Sequence, residues 1–173
     1  PIAPFFTRQQ RAHLLTSAGV DTVLGMADDA AELQALGFAA TSLGWQRAPI
    51  NVGIPQGTAK ITFTSGTTGT PKGVCLSAEG MLQVADSLRE ACSSVDPQQH
   101  LILLPLAVLL DNLGAITALL NGASIYAPTD TGLRGAQINA PRLLSVLLQS
   151  QPHSLILVPQ LLQGLLQAAD AGA

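Results

Sequence analysis

Within ten residues, Thr64 to Gly73, the chain gathers three glycines, five hydroxyl side chains and a lysine. The glycines Gly66, Gly69 and Gly73 allow backbone angles that other residues avoid, and they let the main chain come close to a ligand. Successive amides in such a loop form a concave nest of donors suited to anionic oxygens. Thr64, Ser65, Thr67, Thr68 and Thr70 add hydroxyl donors, and Lys72, one of only two lysines in the chain, adds a mobile positive charge. Pro71 stiffens the approach to that lysine. Neutral donors with one ammonium make a site for a polyphosphate. The loop is not a Walker A loop, because Lys72 stands between Pro71 and Gly73 rather than after glycine and before a hydroxyl residue.

The loop needs two supports. Ile61-Thr62-Phe63-Thr64 has the β-branched and aromatic residues of a strand, and a second strand follows to Leu76. Upstream, Thr7-Arg8-Gln9-Gln10 is a capping-box pattern opening a helix with Leu14, Leu15 and Ala18 on its apolar stripe, closed by Gly19. Asp21 to Met26 reads as a strand, Asp28 to Leu36 as a helix, and Phe38 to Trp45 is ambiguous. Residues 48–57 read as a loop.

Downstream, Ser77 can cap a helix in which Met81, Val84, Ala85, Leu88 and Cys92 recur at helical spacing. Leu101 to Leu104 reads as a buried strand, Leu109 to Leu120 as a helix, and Ala123 to Ala127 as a strand. Asn139 caps a helix to about Gln149. Ser154 to Val158 reads as a strand, and Pro159 to Ala169 as a last helix. Short strands alternating with helices predict βαβ units with right-handed crossovers: an α/β three-layer sandwich around a mostly parallel sheet.

Apolar residues make up 47% of the 173 and charged residues 11%, which excludes a disordered chain. A net charge of −3 gives no basic footprint for nucleic acid. The run from Leu101 to Leu120 contains Pro105, Asp111, Asn112 and Gly114, so it reads as a strand and a helix, not a transmembrane segment. Cys75 and Cys92 read as buried free thiols, with a disulfide the lesser option. His13, His100 and His153 are scattered, with no ligand spacing for a metal. No nucleophile elbow supports a hydrolase triad at Ser65. The start at Pro1 and the end at Ala173 read as those of a piece of a longer product.

The order Thr-Ser-Gly-Thr-Thr-Gly-Thr-Pro-Lys-Gly over residues 64–73 resembles, position for position, the signature loop of the adenylate-forming superfamily, which includes acyl-CoA synthetases, peptide-synthetase adenylation domains and luciferases. Leu104-Pro105-Leu106, Leu120 to Ala123 and Val158-Pro159 resemble further segments of that family more weakly. The resemblance implies that residues 1–173 are a fragment of the large N-terminal AMP-binding domain. It also implies that Thr64, Ser65, Gly66, Thr67, Thr68, Gly69, Thr70, Pro71, Lys72 and Gly73 hold ATP phosphates, with Lys72 in the catalytic role and Mg²⁺ sharing the charge. A carboxylic acid would be joined to AMP with loss of pyrophosphate, then passed to a thiol, either coenzyme A or a carrier-protein phosphopantetheine.

Many relatives carry a histidine shortly after the proline of the second segment. Here Ala107-Val108 stands there, followed by Asp111-Asn112, which favours a fatty acyl substrate. The family's Tyr-Gly-x-Thr-Glu and Thr-Gly-Asp motifs and its late lid lysine are not in this sequence. The piece alone is therefore expected to be inactive and to self-associate through uncovered apolar faces, its parent being cytoplasmic or peripheral to a membrane. The rival classes are a non-catalytic nucleotide-binding pseudo-enzyme and an interaction scaffold.

Overall fold

The computed structural model describes residues 1–2, 6–25, 29–64, 70–134 and 137–171. Their contacts divide the chain into two units, one over residues 6–78 and the other over residues 79–173 together with the first five.

In the unit of residues 6–78, α1 (Arg8–Ser17) begins at a closed capping box. Thr7 Oγ1 accepts from the Gln10 amide at 3.2 Å, and Gln10 Oε1 accepts from the Thr7 amide at 3.0 Å. Leu14 and Leu15 are the helix's buried side chains. Gly19 turns the chain at φ +59°, where a Cβ would also lie 2.7 Å from the Ile50 carbonyl. Two strands and a helix follow: β1 (Thr22–Val23), α2 (Ala30–Ala35) and β2 (Ala39–Thr41), then β3 (Gly44–Gln46). The ambiguous stretch is thus a hairpin, and β1, β3 and β2 form a small antiparallel sheet in that order. Of the strand expected over residues 21–26, Thr22 and Val23 alone pair as a strand among the described residues, with Gln46 and Trp45 of β3; Met26 lies outside the described residues. Val23, Leu33 and Phe38 join Leu14 and Leu15 in this unit's buried set. Arg11 spans the two helices, its Nη2 at 2.9 Å from Asp29 Oδ1 and 2.8 Å from Glu32 Oε2.

The same unit ends in a long hairpin, β4 (Thr58–Thr64) and β5 (Lys72–Ser77), antiparallel from Thr58↔Ser77 to Thr64↔Lys72 with a register shift between Thr58 and Lys60. These are the two expected strands around the glycine-rich loop.

In the second unit, α3 (Ala78–Ala91) leads to β6 (Gln99–Leu101), α4 (Leu109–Leu120), β7 (Ser124–Tyr126), a short antiparallel pair β8 (Leu133–Arg134) and β9 (Gln137–Ile138), α5 (Ala140–Ser150), β10 (Ser154–Leu155) and α6 (Pro159–Ala171). Asn139 caps α5 as expected, its Oδ1 accepting from the Arg142 amide at 3.1 Å. β10, β6 and β7 form a parallel sheet, with Ser154↔His100 and His100↔Ile125 in register. β6 is shorter than expected and shifted towards Gln99. Ile102 still donates to the Tyr126 carbonyl at 3.0 Å, but the Leu104 amide is taken by Asp111 instead of a strand.

Neighbouring residues on a strand face opposite sides of a sheet. His100 faces α4, where a Cβ on Gly114 would lie 2.8 Å from His100 Nε2. Leu101 packs on the other side, with Leu103, Leu143 and Val146 of α5, and Leu161 of α6. The result is helix, parallel sheet, helices: the three-layer α/β arrangement that the strand–helix rhythm implied. Among the described residues parallel pairing is confined to this sheet; the hairpins and the β1-β3-β2 sheet are antiparallel.

Among the described residues no helix is long and apolar enough to cross a membrane, and the apolar run from Leu101 is divided between β6 and α4. The reading of the thiols as buried needs correction. Cys75 and Cys92 are free, and both are exposed. Cys75 lies on the groove side of β5, and Cys92 lies just beyond the end of α3.

Candidate functional site

The hairpin is built to hold a loop at a fixed opening. Phe63 pairs with Gly73, and a Cβ on Gly73 would lie 3.0 Å from Ile61 Cγ2 and 3.2 Å from Phe63 Cζ. Glycine leaves the room that the phenyl ring occupies, so the two strands stay close at this rung. One rung further, Thr64 faces Lys72, and Thr64 Oγ1 donates weakly to the Lys72 carbonyl at 3.5 Å. Ser65 to Gly69 fall between these two residues in the sequence. Those five predicted site residues (Ser65, Gly66, Thr67, Thr68 and Gly69) lie outside the described residues.

The other five are placed. Thr64, Thr70, Lys72 and Gly73 are exposed, whereas Pro71 is buried. The exposed Lys72 contrasts with Lys60 further along β4, which is partly buried and whose pKa burial lowers. A groove of about 380 Å³ runs beside the stem, lined by Ile61, Phe63, Lys72 and Cys75 of the hairpin and by Val52 and Ile54. The alternation that puts Lys72 and Val74 on one face puts Gly73 and Cys75 on the other.

His13 also lines this groove. It had seemed one of three scattered histidines, yet its Nε2 lies 3.0 Å from the Pro71 carbonyl oxygen. A contact across 58 residues leaves no mark in local spacing. The only signal available was its position on α1 one residue before the buried Leu14.

The unit of residues 79–173 holds a second set of buried polar groups. His100 is almost fully buried; its Nδ1 is 3.0 Å from Ser154 Oγ, and burial lowers its pKa. Asp111, in the first turn of α4, is completely buried. Its Oδ2 accepts from the Leu104 amide at 2.5 Å, and its Oδ1 has no hydrogen-bond partner among the described residues. Burial pushes the carboxyl pKa up to about 6, against the opposing pull of the Leu104 and Leu103 amides. Asn112 Nδ2 donates to the Val108 carbonyl at 2.9 Å and to the Leu106 carbonyl. Together these two side chains tie the segment after β6, including Ala107 and Val108, to the first turn of α4.

Comparison with known proteins agrees with the hairpin and the sheet. The family described as AMP-binding enzyme matches residues 1–173, and the chain belongs to that family. No curated protein is similar to it in sequence at a significant level.

Solved structures share its fold at low identity. ATP-bound MatB from Rhodopseudomonas palustris superposes with a TM-score of 0.70 at 19% identity, over 96% of this chain and 35% of that one. O-succinylbenzoate coenzyme A synthetase from Bacillus subtilis, in complex with ATP and magnesium, gives 0.67 at 18% identity, over 94% and 34%. The amide bond synthetase McbA from Marinactinospora thermotolerans gives 0.62 at 23% identity, over 94% and 35%. The chain thus spans little more than a third of the length of these structures. Its mixed α/β fold is that of the N-terminal domain of adenylate-forming enzymes.

Proposed function

We propose that residues 1–173 form the phosphate-holding part of the N-terminal domain of an AMP-forming acid–thiol ligase. In that reaction a carboxylate oxygen attacks the α-phosphorus of ATP, the bond to the β-phosphate oxygen breaks, and pyrophosphate leaves. A thiol then displaces AMP from the acyl carbon. The observation that carries this reading is the closed hairpin stem, which presents Lys72 and Thr64 in the open on either side of the signature residues.

The donor set fits the ligand. Thr64, Ser65, Thr67, Thr68 and Thr70 supply hydroxyls, Gly66, Gly69 and Gly73 supply close backbone, and Lys72 supplies charge, with Pro71 holding the approach. These are partners for phosphate oxygens. None is a carboxylate, so Mg²⁺ would reach the site on the triphosphate and would there neutralise charge on the leaving group. The residues' own task is to hold the β- and γ-phosphates and stabilise the charge that develops on pyrophosphate, a task electrostatic in kind.

A fatty acid is the favoured substrate, because Ala107 and Val108 put small apolar side chains where many relatives have histidine. Coenzyme A or a carrier-bound pantetheine is the acceptor, and a cytoplasmic or membrane-peripheral setting suits either. The 173 residues alone should not turn over, since positioning acid and α-phosphate in line needs more groups than these. Leu144, Leu148, Leu162 and Leu166 of α5 and α6 are exposed, and the isolated chain is expected to self-associate through them.

The test is acid-dependent ATP–pyrophosphate exchange in the full-length ligase that carries this chain. Lys72→Ala should slow exchange roughly a hundredfold, the usual effect of losing one charged transition-state contact, about 3 kcal/mol. Unchanged exchange would remove Lys72 from the reaction. Nucleotide binding without exchange in the native protein would favour a pseudo-enzyme, and the absence of both would favour an interaction scaffold.

A further inference from the structure

The hairpin ladder that holds the phosphate loop ends at Thr64↔Lys72. Pro71 lies one residue beyond it. Proline has no amide hydrogen, so its carbonyl is the only main-chain hydrogen-bonding group through which this residue can be fixed. His13 supplies the partner, with Nε2 at 3.0 Å from that carbonyl oxygen. A carbonyl can only accept, so Nε2 carries the proton, as it does both in one neutral tautomer and in the imidazolium.

The bond fixes more than one atom. The peptide unit from Cα of Pro71 to Cα of Lys72 is planar, so holding its oxygen also sets its N–H and the start of the Lys72 side chain. His13 is itself firmly based. Its helix is closed at the N-terminus by Thr7 and Gln10, tied by Arg11 to Asp29 and Glu32, buried through Leu14 and Leu15, and bonded by Arg47 at the Leu15 carbonyl. A ligand pulling on Lys72 therefore pulls against α1 as well as against β5.

We propose that His13 is a positioning residue for Lys72: it fixes the Pro71–Lys72 peptide so that the ammonium meets the phosphates from a fixed base. This rests on the phosphate-holding reading of the hairpin. The effect should appear in the chemical step, with the binding of the acid unaffected, because the bond sets where one charge stands in the transition state.

The experiment compares two replacements of similar bulk in the full-length ligase. His13→Gln places an amide N–H near the position of Nε2, and His13→Met fills the space without a donor. Exchange kinetics are read beside amide hydrogen exchange of the segment from Lys72 to Val74. His13→Met should lower kcat about tenfold with KM for the acid unchanged and should speed amide exchange at Lys72, while His13→Gln should recover both to within about threefold. Two equally impaired variants, or two variants like the native protein, would overturn the proposal. Lys72→Ala is the reference. If it too behaves like the native protein, the phosphate-holding reading fails. If it is impaired while His13→Met is not, only the positioning role of His13 fails.

Discussion

The guanidinium carbon of Arg47 lies 4.4 Å from the centre of the Phe38 ring. From that position its nitrogens donate to three carbonyls: Val20 at 2.8 Å, Leu36 at 3.1 Å and Leu15 at 2.7 Å. Leu15 lies in the last turn of α1, and Leu36 is the C-cap of α2. One planar fork thus satisfies the ends of two helices while its face stacks on an aromatic ring, which an ammonium cannot do.

Arg47→Lys is therefore expected to lose most of what Arg47→Ala loses. Each carbonyl left without a partner in a partly buried place costs about 1 kcal/mol or more, so a destabilisation of roughly 2–3 kcal/mol should appear in urea unfolding of the unit of residues 6–78. A lysine variant as stable as the native chain would show that charge alone suffices.

Gly114 is where α4 meets the parallel sheet. A Cβ there would lie 2.7 Å from Ile156 Cδ1 and 2.8 Å from His100 Nε2. Gly114→Ala should cost about 1–3 kcal/mol by overpacking, despite the better helix propensity of alanine. Adding Ile156→Val removes one of the clashing atoms and should recover part of that loss. Thermal denaturation of the single and double variants measures both. An alanine variant at native stability would mean that the helix moves away without cost.

Asp111 makes stability depend on pH in a direction unusual for an aspartate. Its folded pKa, about 6, lies above the 3.8 ordinary for an aspartate, so the native state holds the proton more tightly than the unfolded chain. The stabilising contribution is full below about pH 4 and is lost as pH rises through 6. Asp111→Asn cannot ionise, and its amide oxygen can still accept from Leu104. The melting temperature of Asp111→Asn minus that of the native chain should therefore rise between pH 4 and pH 7. A difference independent of pH would place the carboxyl's titration elsewhere.

Asn112 holds the segment after β6 through the Leu106 and Val108 carbonyls. On the proposed ligase reading, with that segment bordering the acyl group, Asn112→Ala in the full-length parent should change the relative rates with fatty acids of different length more than it changes KM for ATP. Equal effects on all acids would separate the segment from substrate choice.

Much of this was legible because the signals are local. The capping box at Thr7, the cap at Asn139, the apolar periodicity of α3, α5 and α6, and the β-branched run before Thr64 each act within a few residues, and each element formed where they pointed. Leu101 to Leu104 was misjudged in extent for a physical reason. An apolar run shows burial but not which amides a neighbouring strand will take, and Asp111 captured one of them. Asp111 was legible only as a polar break in an apolar run; nothing in its spacing told of complete burial. His13 was invisible as a partner for Pro71, and the thiols were misplaced, because both depend on tertiary packing that composition does not encode. The short β8–β9 pair gave no pattern of its own.

The pairing distances along the chain have a consequence for the order in which the molecule is made. The open end of the β4–β5 hairpin joins Thr64 and Lys72, eight residues apart, whereas His100 and Ser154 meet across 54. A hairpin of this kind closes in about 1–10 μs. A ribosome adding about 5–20 residues per second needs on the order of 4–15 s to travel from the end of β5 to the end of β10. During that interval the stem can already be folded, while β6 waits for the strand that will cover one of its edges. The nascent chain is then most exposed to strand-to-strand aggregation after its β4–β5 hairpin exists and before its parallel sheet does. Protease digestion of chains stalled at successive lengths would show protection of residues 58–77 well before that of residues 99–126.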